Sequence, residues 1–304
     1  MYMVETLLSL SGIYLFIAVG FVAKWTFKEK IDDRTITLLS VYFLQIFLTF
    51  WGLLKRPIDT ELLIAPTLYL VITLISLMLM IPLAKMLFGD PKERSIATVS
   101  ALIGNTGNLG IPLGIALFGE ESVPYLTLIN LVNVFVVYTI GVFYYSRGEF
   151  SVQGSLLNIV KLPVLWAAMI AIGLNLSGYH PGHAVDKTLM MGAYASMTMQ
   201  LVLFGIYLYG IKLTQINLRL TVWVNSTKFV MIPLIAFVVL SQADISALIK
   251  GILFLELIVP LAVANVNLAS LYGCEPRTVT VQVFVTSVLF LGIALVLPEL
   301  LKIL

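Results

Sequence analysis

The chain has 304 residues, 60% of them hydrophobic and only 11% charged, with a mean hydropathy of +1.03; no soluble domain carries that balance, so its solvent is lipid. A net charge of +2, from 18 Lys and Arg against 16 Asp and Glu, excludes a strong steering field and argues against a nucleic-acid partner. A single cysteine, Cys274, excludes an internal disulfide and a cysteine metal cluster.

In chain order, apolar runs near the roughly 20 residues needed to cross hydrocarbon predict ten helices. The first, 5–26, lacks the basic start and small-residue cleavage site of a signal peptide and reads as a retained span. Helices at 34–54 and 62–88 follow, then 94–118 and 122–146. A structure-poor connection, 148–160, falls almost at the midpoint, after a first half of 1–147. The second half, 161–304, predicts helices at 161–178, 187–211, 217–240, 245–271 and 277–301. Between the sixth and seventh, His180 and His183 share the polar segment GYHPGH, which reads as an external loop rather than a metal site.

Lys and Arg are held on the cytoplasmic side of a membrane. Lys24, Lys28, Lys30, Arg34, Lys85, Lys92, Arg94, Arg147, Lys161, Lys212, Arg219 and Arg277 follow odd-numbered helices, whereas Lys55, Arg56, Lys187, Lys250 and Lys302 lie at the other side. This bias predicts a multi-pass protein of a prokaryotic cytoplasmic membrane with both termini outside. Five helices on each side of the midpoint make the halves inverted relative to one another if they are homologous.

Two helices carry residues that do not suit a helix interior. The fourth contains GNTGNLGIP (104–112) and the ninth ELIVPLAVANVNL (256–268). Backbone that leaves helical geometry in a bilayer frees N–H and C=O groups, each costing several kcal/mol unless satisfied. Two such breaks at matching places in inverted halves point to a transport site near the midplane. Pro112 and Pro260 lack the amide hydrogen, and Gly107 and Gly110 permit turns. Asn105, Thr106, Asn108, Asn265 and Asn267 bring polar groups to the opened backbone, and Asn130 and Asn133, three residues apart on the fifth helix, line the same cavity in this reading. The bland alternative is a pair of kinked helices whose asparagines bond across helices.

Glu256 and Lys228 are the ionisable residues placed inside spans, at a cost of at least a few kcal/mol if unpaired. Glu256, one turn before Pro260, offers a carboxylate beside freed carbonyls, which suits a Na+ site or a transported proton; the alternative is a structural ion pair with Lys228, which is in turn a weaker candidate for a substrate counter-ion. Gln200, Asn225 and Gln282 read as interhelical hydrogen-bonding groups.

NTGNLGIPLG (105–114) resembles the fourth-helix motif of the auxin efflux carrier family, including the plant PIN-type carriers. GIYLYGI (205–211), TKFVMIPLIAF (227–237), Pro260, Tyr272-Gly273 and TVQVFVTSVLF (280–290) resemble later family segments in order and spacing. The resemblance covers nearly the whole chain. It implies an all-α polytopic membrane protein, with ten transmembrane helices in two inverted five-helix repeats and with helices four and nine broken and crossing. This architecture is similar to bile-acid sodium symporters, in which a ninth-helix glutamate binds Na+. It also implies a scaffold domain from helices one, two, six and seven, and a transport domain from three to five and eight to ten. A homodimer through the scaffold and a small organic anion as cargo, such as malate or malonate, follow from the same source. Asn105 matches the asparagine that contacts the substrate carboxylate in the plant carriers. Gln45 stands where the family often has a proline, and the acidic residue of the plant third helix is missing.

A secondary transporter working by elevator-like displacement, coupled to Na+ or H+ through Glu256, is the reading these features give. The substrate-site residues are Asn105, Thr106, Asn108, Gly110, Pro112, Pro260, Asn265, Asn130 and Asn133, with no cofactor. The alternatives are a ligand-binding membrane sensor on the same scaffold and an uncoupled uniporter or channel-like carrier. No GxxxxGK[ST] loop, intramembrane His, Asp pair or Gly-x-Ser-x-Gly is present, so neither nucleotide hydrolysis nor another enzyme activity is expected.

Overall fold

A computed structural model describes residues 2–146, 162–209 and 216–300, with side chains from Ser11 onward apart from Pro298 and Leu300. The expected connection 148–160, the basic residues Arg147, Lys161, Lys212 and Lys302, and the last two residues of GIYLYGI lie outside those residues. Among the described residues every regular element is helical, and the extended backbone pairs only at an isolated antiparallel bridge, Gly104 to Leu261.

The helices, in order, are α1 (Tyr2–Phe27), α2 (Asp33–Leu54), α3 (Thr60–Leu87), α4 (Pro91–Val99), α5 (Thr106–Phe118) and α6 (Glu120–Tyr145). They continue with α7 (Pro163–Leu176), α8 (His183–Tyr209), α9 (Leu218–Gln242), α10 (Ala247–Ile258), α11 (Ala264–Leu271) and α12 (Pro276–Leu300). Polar side chains start several of them by accepting otherwise orphaned N–H groups. Asp32 accepts from Arg34 N–H at 3.1 Å and Thr35 Oγ1 at 2.5 Å, and these bonds, led by the Thr35 hydroxyl, hold its carboxyl below the ordinary range. Asp90 caps α4 through Lys92 and Glu93, and Asn217 caps α9 through Leu220.

Among the described residues six helices, α2, α3, α6, α8, α9 and α12, are long and apolar enough to cross a membrane. The chain is therefore a multi-pass membrane protein, though the expected spans are not all single rods. The span expected at 94–118 divides into α4, a 3-10 turn at Ser100–Leu102 and α5; that at 245–271 divides into α10 and α11. The sixth shortens to Pro163–Leu176, because Pro163 fixes the start, with Leu162 extended before it, and Gly178 at φ +78° follows the end. His183, read from sequence as loop, instead opens α8, whose first turn also holds Asp186, a charge suited to a helix N-terminus.

The chain divides into two compact units: Met1–Ile64, Gly107–Leu128 and Val160–Gly210 form one, and Ala65–Thr106, Ile129–Ile159 and Ile211–Leu304 the other. In the first, α1 and α8 touch backbone to backbone. A side-chain carbon on Gly205 would lie 1.9 Å from Ile17 O, and one on Gly20 would lie 1.9 Å from Val202 O, which explains the glycine that begins GIYLYGI. Gln45, buried in α2, accepts a hydrogen bond from Gln200 Nε2 of α8. Asn175 ties the end of α7 to the turn after α2, donating to the carbonyls of Leu53 and Arg56 at 2.7 Å each and accepting from Ile58 N–H. In the same turn Asp59 accepts from Leu62 N–H and pairs with Arg56, which together lower its carboxyl below the ordinary range.

The second unit has an apolar core that includes Phe88, Ile103, Tyr145, Leu261, Leu268 and Val283. Gln282 Nε2 of α12 reaches Thr221 Oγ1 of α9 at 3.0 Å across this unit, whereas among the described residues Asn225 bonds only back to Thr221 O in its own helix. The Tyr272-Gly273 pair ends α11: Gly273 at φ +63° takes the left-handed conformation, and Cys274 N–H returns to Ala269 O at 2.8 Å.

Candidate functional site

Both helix breaks lie in the second unit, and each satisfies the other. The first break centres on Ile103–Asn105, upstream of the proline expected to make it. Helical geometry resumes at Thr106 as a wide π turn through Gly110, and Pro112 follows as the second residue of the α-helical stretch Ile111–Phe118. In the second break Val259 is extended before Pro260, the conformation a following proline imposes.

Across the bridge, Asn105 N–H donates to Pro260 O at 2.8 Å and Ala262 N–H to Ile103 O at 3.0 Å. Asn265 Nδ2 donates to both Ile103 O and Ala262 O at 3.0 Å, while its Oδ1 accepts from Tyr145 at 2.9 Å. Asn133 Nδ2 donates to Gly104 O at 2.9 Å and Thr106 Oγ1 at 3.0 Å, and its Oδ1 accepts from Tyr69 at 3.2 Å. Thr106 completes the chain by donating to Asn130 Oδ1 at 2.8 Å. Groups that would each cost several kcal/mol if left bare in a bilayer are thus paired with one another.

The candidate residues separate by this test. Asn265, Asn133 and Thr106 are committed to holding the breaks. Asn105 is different: it is 4% exposed, and its Nδ2 has no partner among the described residues. Asn267 is exposed, and Asn108, Gly110 and Pro112 belong to the first compact unit, whereas Asn105, Thr106, Asn130, Asn133, Pro260 and Asn265 belong to the second.

Replacing Asn265 by Ala removes three hydrogen bonds and leaves the Tyr145 hydroxyl and part of the Ile103 carbonyl unmatched. We expect a loss of about 2–3 kcal/mol, measured as a lower thermal midpoint in detergent. An unchanged midpoint would show that the pairing of the breaks does not depend on it.

Lys228 and Glu256 flank the first break. Lys228 sits in a π turn of α9, Thr227–Met231, is 2% exposed, and donates to Ala101 O at 3.2 Å. That carbonyl is at the C-terminal end of the half-helix entering the break, where the dipole favours a cation. A side-chain carbon on Gly104 would come within 3.2 Å of Lys228 Nζ, so the absence of one lets the ammonium approach. A cavity of about 10 Å³, room for about one water, lies beside it and is lined in part by Tyr69, Thr73 and Ser76.

Glu256 is fully buried in the last turn of α10, and both carboxylate oxygens are without a hydrogen-bond partner among the described residues. A direct Lys228–Glu256 contact is not among the ion pairs of those residues; the ammonium donates to Ala101 O, while the two charges still interact through space. Glu256 therefore stands at a helix C-terminus with two open acceptors, an arrangement that favours a bound cation or proton.

Sequence reasoning missed Tyr69 and Tyr145, which orient Asn133 and Asn265. Each lies in an apolar run where a tyrosine reads as packing surface, and only the asparagines facing them signal otherwise.

Paired helix breaks, buried in one unit of a multi-pass helical protein and lined by an open amide and an open carboxylate, define a membrane transport protein. The sequence model of the membrane transport protein family matches residues 6–155 and 149–298, and the chain belongs to that family, which includes the auxin efflux carriers. It is also similar to a protein described as an uncharacterized transporter of Methanocaldococcus jannaschii, with 26% identity over 204 residues. That match spans 65% of this chain and 65% of the relative's length.

Proposed function

We propose that the protein is a secondary transporter that carries a small carboxylate-bearing solute across a prokaryotic cytoplasmic membrane. In this reading ten spans form two inverted repeats of five, both termini lie outside, and the two broken helices cross at the substrate site. The reading is supported by the hydrogen-bonded pair of breaks and by family matches in both halves of the chain. Of the ten, helices one, two, six and seven act as the scaffold, through which a homodimer forms, and helices three to five and eight to ten move as the elevator.

The observation that carries the substrate class is the open Nδ2 of Asn105 at the break. An amide donor held by paired backbone, with the Lys228 ammonium near the same break, recognises a carboxylate without confining it in a strong ion pair. Glu256 supplies the coupling site, completed by Na+ or by a proton. With no nucleotide-binding loop, the gradient of that ion or of the solute is the source of energy.

Counterflow tests the proposal. Liposomes containing the protein and loaded with unlabelled malate or malonate are expected to accumulate the labelled solute transiently above its external concentration. A protein that binds these dicarboxylates without any exchange would be a sensor on a transporter scaffold, and the transport reading would fail.

A further inference from the structure

The second unit has another recess, away from the breaks. A cavity of about 260 Å³ lies between α3, α4 and the end of α6, lined by Ile81, Lys85, Arg94, Ser95, Thr98 and Tyr144 together with Pro91 and Phe143. We propose that it binds the phosphate of an anionic phospholipid.

Among the described residues its lining holds two cations, Lys85 and Arg94, and no acid. Arg94 is fixed at the turn between α3 and α4, with Nε donating to Phe88 O at 3.2 Å and Nη2 to Gly89 O at 3.0 Å. Its remaining N–H groups are available to a second acceptor. Lys85 makes no hydrogen bond or ion pair among the described residues. The neighbouring carboxylates are already engaged: Asp90 caps α4, and Glu93 accepts from Asn217 at 2.6 Å. Ser95 is 7% exposed, and its hydroxyl has no protein partner among the described residues although it lines the recess. An unpaired hydroxyl lining the same recess as two cations is a donor open to an oxyanion, and a tetrahedral phosphate can accept from all three.

The apolar edge selects a lipid over a soluble anion. Ile81 is 41% exposed and Phe143 48% exposed, and in a membrane protein such faces meet acyl chains. An anion arriving from water would gain nothing from them, whereas a phospholipid lays its chains over them as its headgroup enters. The volume is slightly below the roughly 300 Å³ at which small-molecule pockets begin, enough for a phosphate with part of its glycerol. Basic pockets between membrane helices hold such headgroups by the same forces.

The test follows the thermal midpoint of purified protein in neutral detergent during titration with dioctanoyl phosphatidylglycerol, dioctanoyl phosphatidylcholine or inorganic phosphate. Phosphatidylglycerol is expected to raise the midpoint saturably, and the other two to leave it unchanged at equal concentration. Lys85→Glu, at an exposed position without partners among the described residues, is expected to retain the lipid-free midpoint and to need at least tenfold more phosphatidylglycerol; Ser95→Ala should need severalfold more. An equal response to phosphatidylcholine would make the effect one of bulk lipid, and an equal response to inorganic phosphate would make the recess a soluble-anion site. Identical titrations of the parent and both variants would place any lipid effect elsewhere. Each of these three results overturns the proposal.

Discussion

Asn105→Ala is expected to reduce uptake at low solute concentration by about 10- to 100-fold while leaving a protein that extracts and melts like the parent. The backbone N–H of Asn105, which bonds Pro260 O at 2.8 Å, survives the substitution, so the bridge between the breaks is kept. The side-chain Nδ2 bonds nothing among the described residues, and its removal breaks no contact of that atom. What is lost is a donor to a charged acceptor, worth about 1.5–3 kcal/mol, and each 1.4 kcal/mol is a factor of ten. The comparison with Asn265→Ala separates the two roles: that variant should lose stability, whereas Asn105→Ala should lose function at normal stability. Uptake at the parental rate would remove Asn105 from the substrate site, and a collapsed midpoint would make it one more staple of the break.

The breaks were legible because glycine, asparagine and proline interrupt two apolar runs, and no propensity argument keeps them all in a helix interior. Their exact seat was not. TGNLG takes up a π turn instead of opening, so the first opening lies at Ile103–Asn105, at the start of the motif and well upstream of Pro112. Nor was the mutual pairing legible, since a bridge between Gly104 and Leu261 joins residues far apart in sequence and depends on which strand-like backbone comes within reach. Buried charge was easier to find, because Lys228 and Glu256 stand out in their spans. The hydrogen-bond partner of Lys228 was harder: it is a carbonyl, Ala101 O, and every residue has one. For the same reason the asparagines could be gathered at the breaks from sequence but not sorted, as only the full set of partners distinguishes committed amides from the open one.

Glu256→Gln should abolish the dependence of stability on sodium. If Na+ binds the two open oxygens of Glu256, sodium in place of choline at 100 times its dissociation constant stabilises the parent by about 2.7 kcal/mol. A proton competes with Na+ for the same oxygens, so the sodium effect in the parent should be larger at pH 8 than at pH 6. Glutamine keeps the shape and one carbonyl oxygen but removes the charge and the exchangeable acidic proton, so its midpoint should be the same in sodium and choline at both pH values. A variant that still responds to sodium as the parent does would put the cation elsewhere. If sodium leaves the parent unchanged at both pH values, sodium coupling is excluded and the proton remains. The decisive measurement is then solute-driven acidification of the vesicle lumen, which the parent should produce and Glu256→Gln should lack, because a glutamine at the end of α10 has no proton to carry. Solute exchange in the parent with no proton movement would reduce Glu256 to a buried structural acid and the protein to a uniporter.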